Sequence, residues 1–132
     1  MKLCMIGTGY VGLVSGACFA DLGNDVVCID KDFNKINGLK NGDIPIYEPG
    51  LEELVKKNYK NKRLKFSTNL KESVANSNII FICVGTPTKK KSNTADLKYV
   101  YQVANLISKN INKLLPLRSP ISSFSICSFI CF

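Results

Sequence analysis

"MIGTGYVGLVSG", residues 5–16, places four glycines among small and apolar residues near the start of a 132-residue chain. In a helix interior each glycine would cost roughly 1 kcal/mol relative to alanine, so something other than helix stability favours them. Upstream, "KLCMI" (Lys2 to Ile6) is a short apolar run closed by glycine, the pattern of a buried parallel strand. Downstream, small and apolar residues recur at helical spacing from Tyr10 to Leu22, and Gly23-Asn24 supplies a stop. "DVVCID" (Asp25 to Asp30) is apolar and β-branched and predicts a second strand. The glycines therefore fill a strand-to-helix turn with another strand behind it.

The remaining chain continues the alternation. Asp32 to Lys40 predicts a helix ending before Asn41-Gly42, and the loop "GDIPIYEPG" leads into a helix from Leu51 to about Tyr59. "LKFST" (Leu64 to Thr68) predicts a third strand, and Thr68 or Asn69 can cap a short helix running to Asn76. "NIIFICVG" (Asn78 to Gly85) is the most apolar strand. After a lysine-rich loop, a helix is expected from about Ala95 to Asn112, with Leu97, Val100, Ala104, Ile107 and Ile111 on one face. Such alternation predicts an α/β fold, a Rossmann-type doubly wound parallel sheet.

In that setting Gly7, Gly9 and Gly12 form G-x-G-x-x-G at the place where a dinucleotide turn needs it. The first glycine permits the tight bend. The second removes a side chain from the path of a pyrophosphate, and the third lets the helix approach the sheet. The amides of Tyr10 and Val11 then point at the phosphates with the helix dipole behind them. Gly16 is expected to serve helix packing. Asp30 ends the second strand 18 positions after Gly12, close to the roughly 20 at which an acid meets the adenosine ribose. A carboxylate there accepts ribose hydroxyls and repels a 2′-phosphate, so NAD is the expected cofactor and not NADP. An ordinary strand-end acid and a packing turn are the plainer readings; the register of all these parts favours the cofactor.

Composition narrows the remaining classes. The chain is 45% hydrophobic and 21% charged, which is globular composition. A net charge of +8 comes largely from the lysine-rich stretches Lys56 to Lys71 and Lys89 to Lys91. Their aromatics, Tyr59 and Phe66, are too few for a stacking platform, so a solvated basic face is expected and nucleic-acid binding is not. Histidine is absent, no CxxC pair occurs, and no metal site is expected. Six cysteines in apolar settings predict buried free thiols in a reducing cytoplasm. No segment is long enough to span a membrane.

Three segments in order, "MKLCMIGTGYVGLVSGACFADLGNDVVCIDKD", "GDIPIYEPGLEELV" and "FICVGTPTKKKSNTADLKYV", resemble the UDP-glucose/GDP-mannose dehydrogenase family, most closely its UDP-glucose branch. The resemblance implies an NAD-dependent oxidoreductase that converts the 6-hydroxymethyl group of a nucleotide sugar to a carboxylate, giving UDP-glucuronate for polysaccharide biosynthesis. It passes through a thiohemiacetal and a thioester on a catalytic cysteine. The resemblance also implies that Gly7 to Gly12 meet the pyrophosphate and Asp30 the adenosine ribose. Lys35 would reach the ribose–phosphate side of the cofactor, and Gly85 and Thr86 of "VGTPT" would lie beside it. A homo-oligomer is implied for full-length members.

After Lys113 the sequence departs from the family pattern. "LLPLRSPISSFSICSFICF" replaces the expected fifth strand and nicotinamide-contacting turn, and no catalytic cysteine has a family context. The expected organisation is a truncated NAD-binding domain over residues 1–113, with strands one to four, and a divergent tail over 114–132 such as a frameshift produces. UDP-glucose would then bind only with the missing domain supplied, and the isolated chain would lack activity. A non-catalytic nucleotide-binding or regulatory module is the alternative. Loss of a fifth strand would leave Ile79 to Val84 as an unpaired, aggregation-prone edge.

Overall fold

In the computed structural model, which describes residues 1–89, 94–111 and 125–128, strands and helices alternate along the chain. The first half holds β1 (Lys2–Ile6), α1 (Tyr10–Asp21), β2 (Asp25–Ile29), α2 (Phe33–Asn41) and α3 (Leu51–Lys60). There follow β3 (Leu64–Ser67), α4 (Leu70–Ala75), β4 (Ile79–Ile82), α5 (Lys98–Ile111) and β5 (Ser125–Ser128). The strands pair in parallel in the order β3-β2-β1-β4-β5. Met5, at the centre, pairs with Cys28 on one side and Phe81 on the other.

Alternation along β1 divides the core between two layers. Leu3 and Met5 pack with Leu13 and Ala17 of α1 and Val55 of α3, whereas Cys4 and Ile6 face Val74 of α4 and Ile107 of α5. Burying a side chain of Met5's size contributes roughly 1.5–3 kcal/mol, and both layers must form for β1 to be covered. Close packing explains Gly16 as expected, since a Cβ there would lie 2.6 Å from the Cys28 sulfur. Helix ends also follow local chemistry. Asp32 accepts from the Asn34 and Lys35 amides, Asn69 caps α4, and Gly42 closes α2 with a left-handed φ of +91°.

Several details differ from the sequence reading. Helix α5 begins at Lys98, not near Ala95, because Ala95 bridges back to Thr88 and the Asp96 amide donates to the Pro87 carbonyl at 2.8 Å. Val103 packs inward in place of Ala104, which is exposed; the Ile111 side chain lies outside the described residues. Cys4, Cys28 and Cys83 are buried as expected, but Cys18 is exposed on α1. Lys90 and Lys91 lie outside the described residues.

The open edge is the main correction. Ser125–Ser128 pairs in parallel with β4, Ile79 opposite Ser125 and Ile82 opposite Ser128. The physical cause is the row of backbone donors and acceptors along β4, which any extended segment that reaches it can satisfy without side-chain alternation. Among the described residues, no helix is long and apolar enough to cross a membrane.

Candidate functional site

Two of the three motif glycines are explained by the protein's own packing, and the middle one is not. Gly7 has φ +106°, and a Cβ there would lie 2.6 Å from the Cys83 carbonyl oxygen. At Gly12 a Cβ would fall 1.9 Å from the Gly7 carbonyl oxygen, so its bare backbone shapes the turn. Gly9 is different. Its φ of −73° suits any residue, and a Cβ built on it meets no protein atom within 4 Å. The bare backbone at Gly9 therefore has no packing need and leaves open space at the start of α1.

The start of α1 faces that space. Gly9 offers no side-chain cap, and the first turn holds no acid. The first amide to find a helical acceptor is that of Leu13, donating to the Gly9 carbonyl at 2.9 Å. The amides of Tyr10, Val11 and Gly12 precede it, as the unsatisfied donors of a helix N-terminus do, and with the helix dipole they favour an anion.

Asp30 stands just past the end of β2, anchored from both strands. Its Oδ2 accepts the Thr8 amide and the Thr8 hydroxyl, each at 2.9 Å, and its Oδ1 accepts the Asp32 amide at 3.2 Å. The Lys35 ammonium lies 3.6 Å from Oδ2. Burial alone would push the Asp30 carboxyl up. The two Thr8 hydrogen bonds, the Asp32 amide and the Lys35 charge outweigh it, holding the group below its ordinary range. The site therefore presents a fixed, ionised carboxylate.

Gly7, Gly9, Asp30, Lys35 and Gly85 all line one cleft of about 520 Å³ at the carboxyl ends of β1, β2 and β4. This is the switch point where open α/β sheets take their ligands. Tyr10, Val11 and Gly12 adjoin it on α1 but do not line it, and Thr86 sits between the lining residues Gly85 and Pro87. The Tyr10 hydroxyl instead donates to Glu48 of the 42–50 loop, tying that loop to the first turn of α1. A wider groove of about 1010 Å³ runs between α2 and this loop and shares Lys35 with the cleft. It holds none of the glycine turn, so the smaller cleft is the candidate site.

The sequence reading missed two contributions. Thr8 is buried with no exposure and holds Asp30; a polar residue between Gly7 and Gly9 was the available signal. Helix α5 supplies Tyr99, Gln102, Val103 and Leu106 to the far wall, and the Lys31 ammonium lies 5.5 Å from the Tyr99 ring centre. Nothing local in sequence places that helix beside Lys31. Among the described residues, no cluster of His, Cys, Asp or Glu could hold a metal ion.

These residues fit a dinucleotide: an open approach at Gly9, free amides at α1, a fixed acid at Asp30 and apolar walls for a base. Comparison with known proteins agrees. The model described as "UDP-glucose/GDP-mannose dehydrogenase family, NAD binding domain" matches residues 1–118. UDP-glucose 6-dehydrogenase of Rhizobium meliloti is 57% identical over 111 residues, covering 84% of this chain and 25% of that protein. The enzyme of the same name from Rickettsia felis is 42% identical, and that match covers 100% of this chain and 30% of the relative. The likeness thus runs on past Lys113 into the tail. Among solved structures, a ternary complex of GDP-mannose dehydrogenase from Pseudomonas aeruginosa superposes with TM-score 0.81 at 34% identity, over 97% of this chain and 28% of that one. A UDP-glucose dehydrogenase from Pyrobaculum islandicum gives 0.80 at 38% identity, over 86% and 26%. The chain spans about a quarter of the length of the curated relatives it matches.

Proposed function

The chain belongs to the UDP-glucose/GDP-mannose dehydrogenase family as its NAD-binding domain, and we propose that it holds NAD for the oxidation of a nucleotide sugar, UDP-glucose. The observation that carries this reading is the open space at Gly9 beside the pinned Asp30. NAD, when bound, supplies the hydride acceptor. The amides of Tyr10 and Val11 take the pyrophosphate, with Gly7 and Gly12 fixing the turn. Asp30 and Lys35 take the adenosine ribose, and Gly85 and Thr86 flank the cofactor beyond β4.

Acceptor arithmetic refines the role of Asp30. Its Oδ2 already takes two hydrogen bonds and a nearby ammonium, while Oδ1 takes one. A carboxylate oxygen accepts about two, so Oδ1 has room for one ribose hydroxyl and Lys35 serves the other. A 2′-phosphate would meet the ionised carboxylate at close range and be repelled.

In this reading the thiol that the oxidation needs comes from the sugar-nucleotide domain; Cys83 lines the cleft but is a buried thiol beneath the glycine turn. Burial pushes the Cys4 thiol up to about 12 and raises Cys28 as well, which leaves both protonated and unreactive near neutral pH. Cys18 is exposed but does not line the cleft. In this reading residues 1–113 form the body of the cofactor domain, and the tail over 114–132 adds β5 to its sheet. A sugar-nucleotide domain completes the site in a cytoplasmic homo-oligomer. The isolated chain then binds NAD and produces no NADH from UDP-glucose.

Calorimetric titration of the purified chain with NAD and with NADP tests the reading. Single-site binding of NAD, at least tenfold tighter than NADP, is expected. Equal affinities, or no heat with either, would overturn it.

A further inference from the structure

Thr8 occupies a position in the phosphate turn that no packing argument explains. Its side chain is wholly buried, yet its hydroxyl does not bond a neighbouring carbonyl. It reaches a carboxylate 22 positions away, on the oxygen that its own amide already holds. Two donors from one backbone-fixed residue on Oδ2, with the Asp32 amide on Oδ1, fix both the position and the plane of the carboxyl group. Around it the charges are unequal. Lys31 and Lys35 both line the cleft, against Asp30 as the one lining acid among the described residues.

We propose that Thr8 is the positioning residue for cofactor choice: its hydroxyl fixes the Asp30 carboxylate beside Lys35, and the preference for NAD over NADP depends on that hold. The inference rests on the reading that Asp30 meets the adenosine ribose. Without the hydroxyl the carboxylate keeps the Thr8 and Asp32 amides but loses one of the two donors on Oδ2, so it turns more freely about its side-chain torsions and guards less strictly the place a 2′-phosphate would take. Lys31 and Lys35 then offer that phosphate two cations. Thr8 touches no ligand in this account; it acts through Asp30.

The variants are Thr8→Val, which keeps shape and the backbone bond but removes the hydroxyl, Thr8→Ser, which restores it, and Asp30→Ala. Each is titrated calorimetrically with NAD and NADP beside the unmutated chain, and each is melted by circular dichroism. Thr8→Val is expected to lower the NAD-to-NADP preference about tenfold, the scale of one hydrogen bond to a charged group. Thr8→Ser should keep the preference, and Asp30→Ala should abolish it. A Thr8→Val chain that melts cooperatively and keeps the preference overturns the role of Thr8 while leaving that of Asp30 intact. Should Thr8→Val not fold, Thr8→Ala reads the same ratio, and an unchanged ratio there overturns the proposal equally. If Asp30→Ala leaves the preference unchanged, the ribose assignment itself is wrong.

Discussion

Substituting Gly9 and Gly12 separately should divide ligand binding from folding, because the structure gives the two glycines opposite surroundings. At Gly9 the backbone suits an L-residue and an added Cβ meets no protein atom within 4 Å. Gly9→Val loses a few tenths to 1 kcal/mol as a poorer N-cap and regains a similar amount by restricting the unfolded chain. The melting temperature should therefore move by only about 5 °C. The cost falls on the cofactor. A branched side chain in the pyrophosphate path removes at least two charge-assisted hydrogen bonds from the α1 amides, each worth about 1.5–3 kcal/mol. That is more than a 100-fold loss of NAD affinity. At Gly12 even a methyl group would sit 1.9 Å from a backbone carbonyl. The helix must back away from β1 by more than an ångström, and Gly12→Ala should cost about 3 kcal/mol or more of stability. Circular dichroism melts and calorimetry on the same preparations decide the matter. A folded Gly9→Val chain that binds NAD normally would refute the ligand role of the open space.

Three further outcomes follow from the same geometry. Placing proline at both Ile126 and Cys127 removes backbone donors from β5, and because successive strand amides face opposite edges, one of the two must serve β4; light scattering should then show self-association absent from the parent, and a monodisperse variant would mean that the pairing of β5 does not shield the edge. Asp30 has a lowered pKa in the folded chain, so its contribution is present above the ordinary carboxylate value and is lost as pH falls through the folded one. Asp30→Asn should accordingly flatten the acid limb of a stability-against-pH curve below about pH 4, and an unchanged limb would contradict the anchoring by Thr8. Maleimide labelling followed by peptide mapping should modify Cys18 in the native chain and Cys4 and Cys28 only in denaturant; native-state labelling of Cys28 would show that the core beneath the glycine turn opens.

Much of this site can be read from the amino-acid string because its parts are local. Gly7, Gly9 and Gly12 declare a turn through their spacing, and Asp30 declares itself by ending an apolar strand. What the string does not show is which glycine faces protein and which faces empty space. Gly12 meets the carbonyl of Gly7 and Gly9 meets nothing, and only the path of the backbone separates them. Thr8 and Asp30 meet because β1 and β2 are adjacent strands, a pairing that local propensity does not specify. The Tyr10–Glu48 bond joins a helix start to a loop 38 positions away, a contact that no local pattern specifies. The fifth strand was missed for a different reason. Side-chain pattern predicts strands that must bury a face, whereas β5 is placed by the backbone groups that β4 leaves open.

The central claim is that NAD lies on the glycine turn with its adenosine ribose at Asp30, and the most direct test is a map of amide resonances in an isotope-labelled chain titrated with NAD. Perturbations should concentrate at Gly9, Tyr10, Val11, Asp30 and Gly85, and should saturate together with one dissociation constant. Perturbations centred on the 42–50 loop and α3, with the glycine turn undisturbed, would place the ligand in the wider groove and contradict the account.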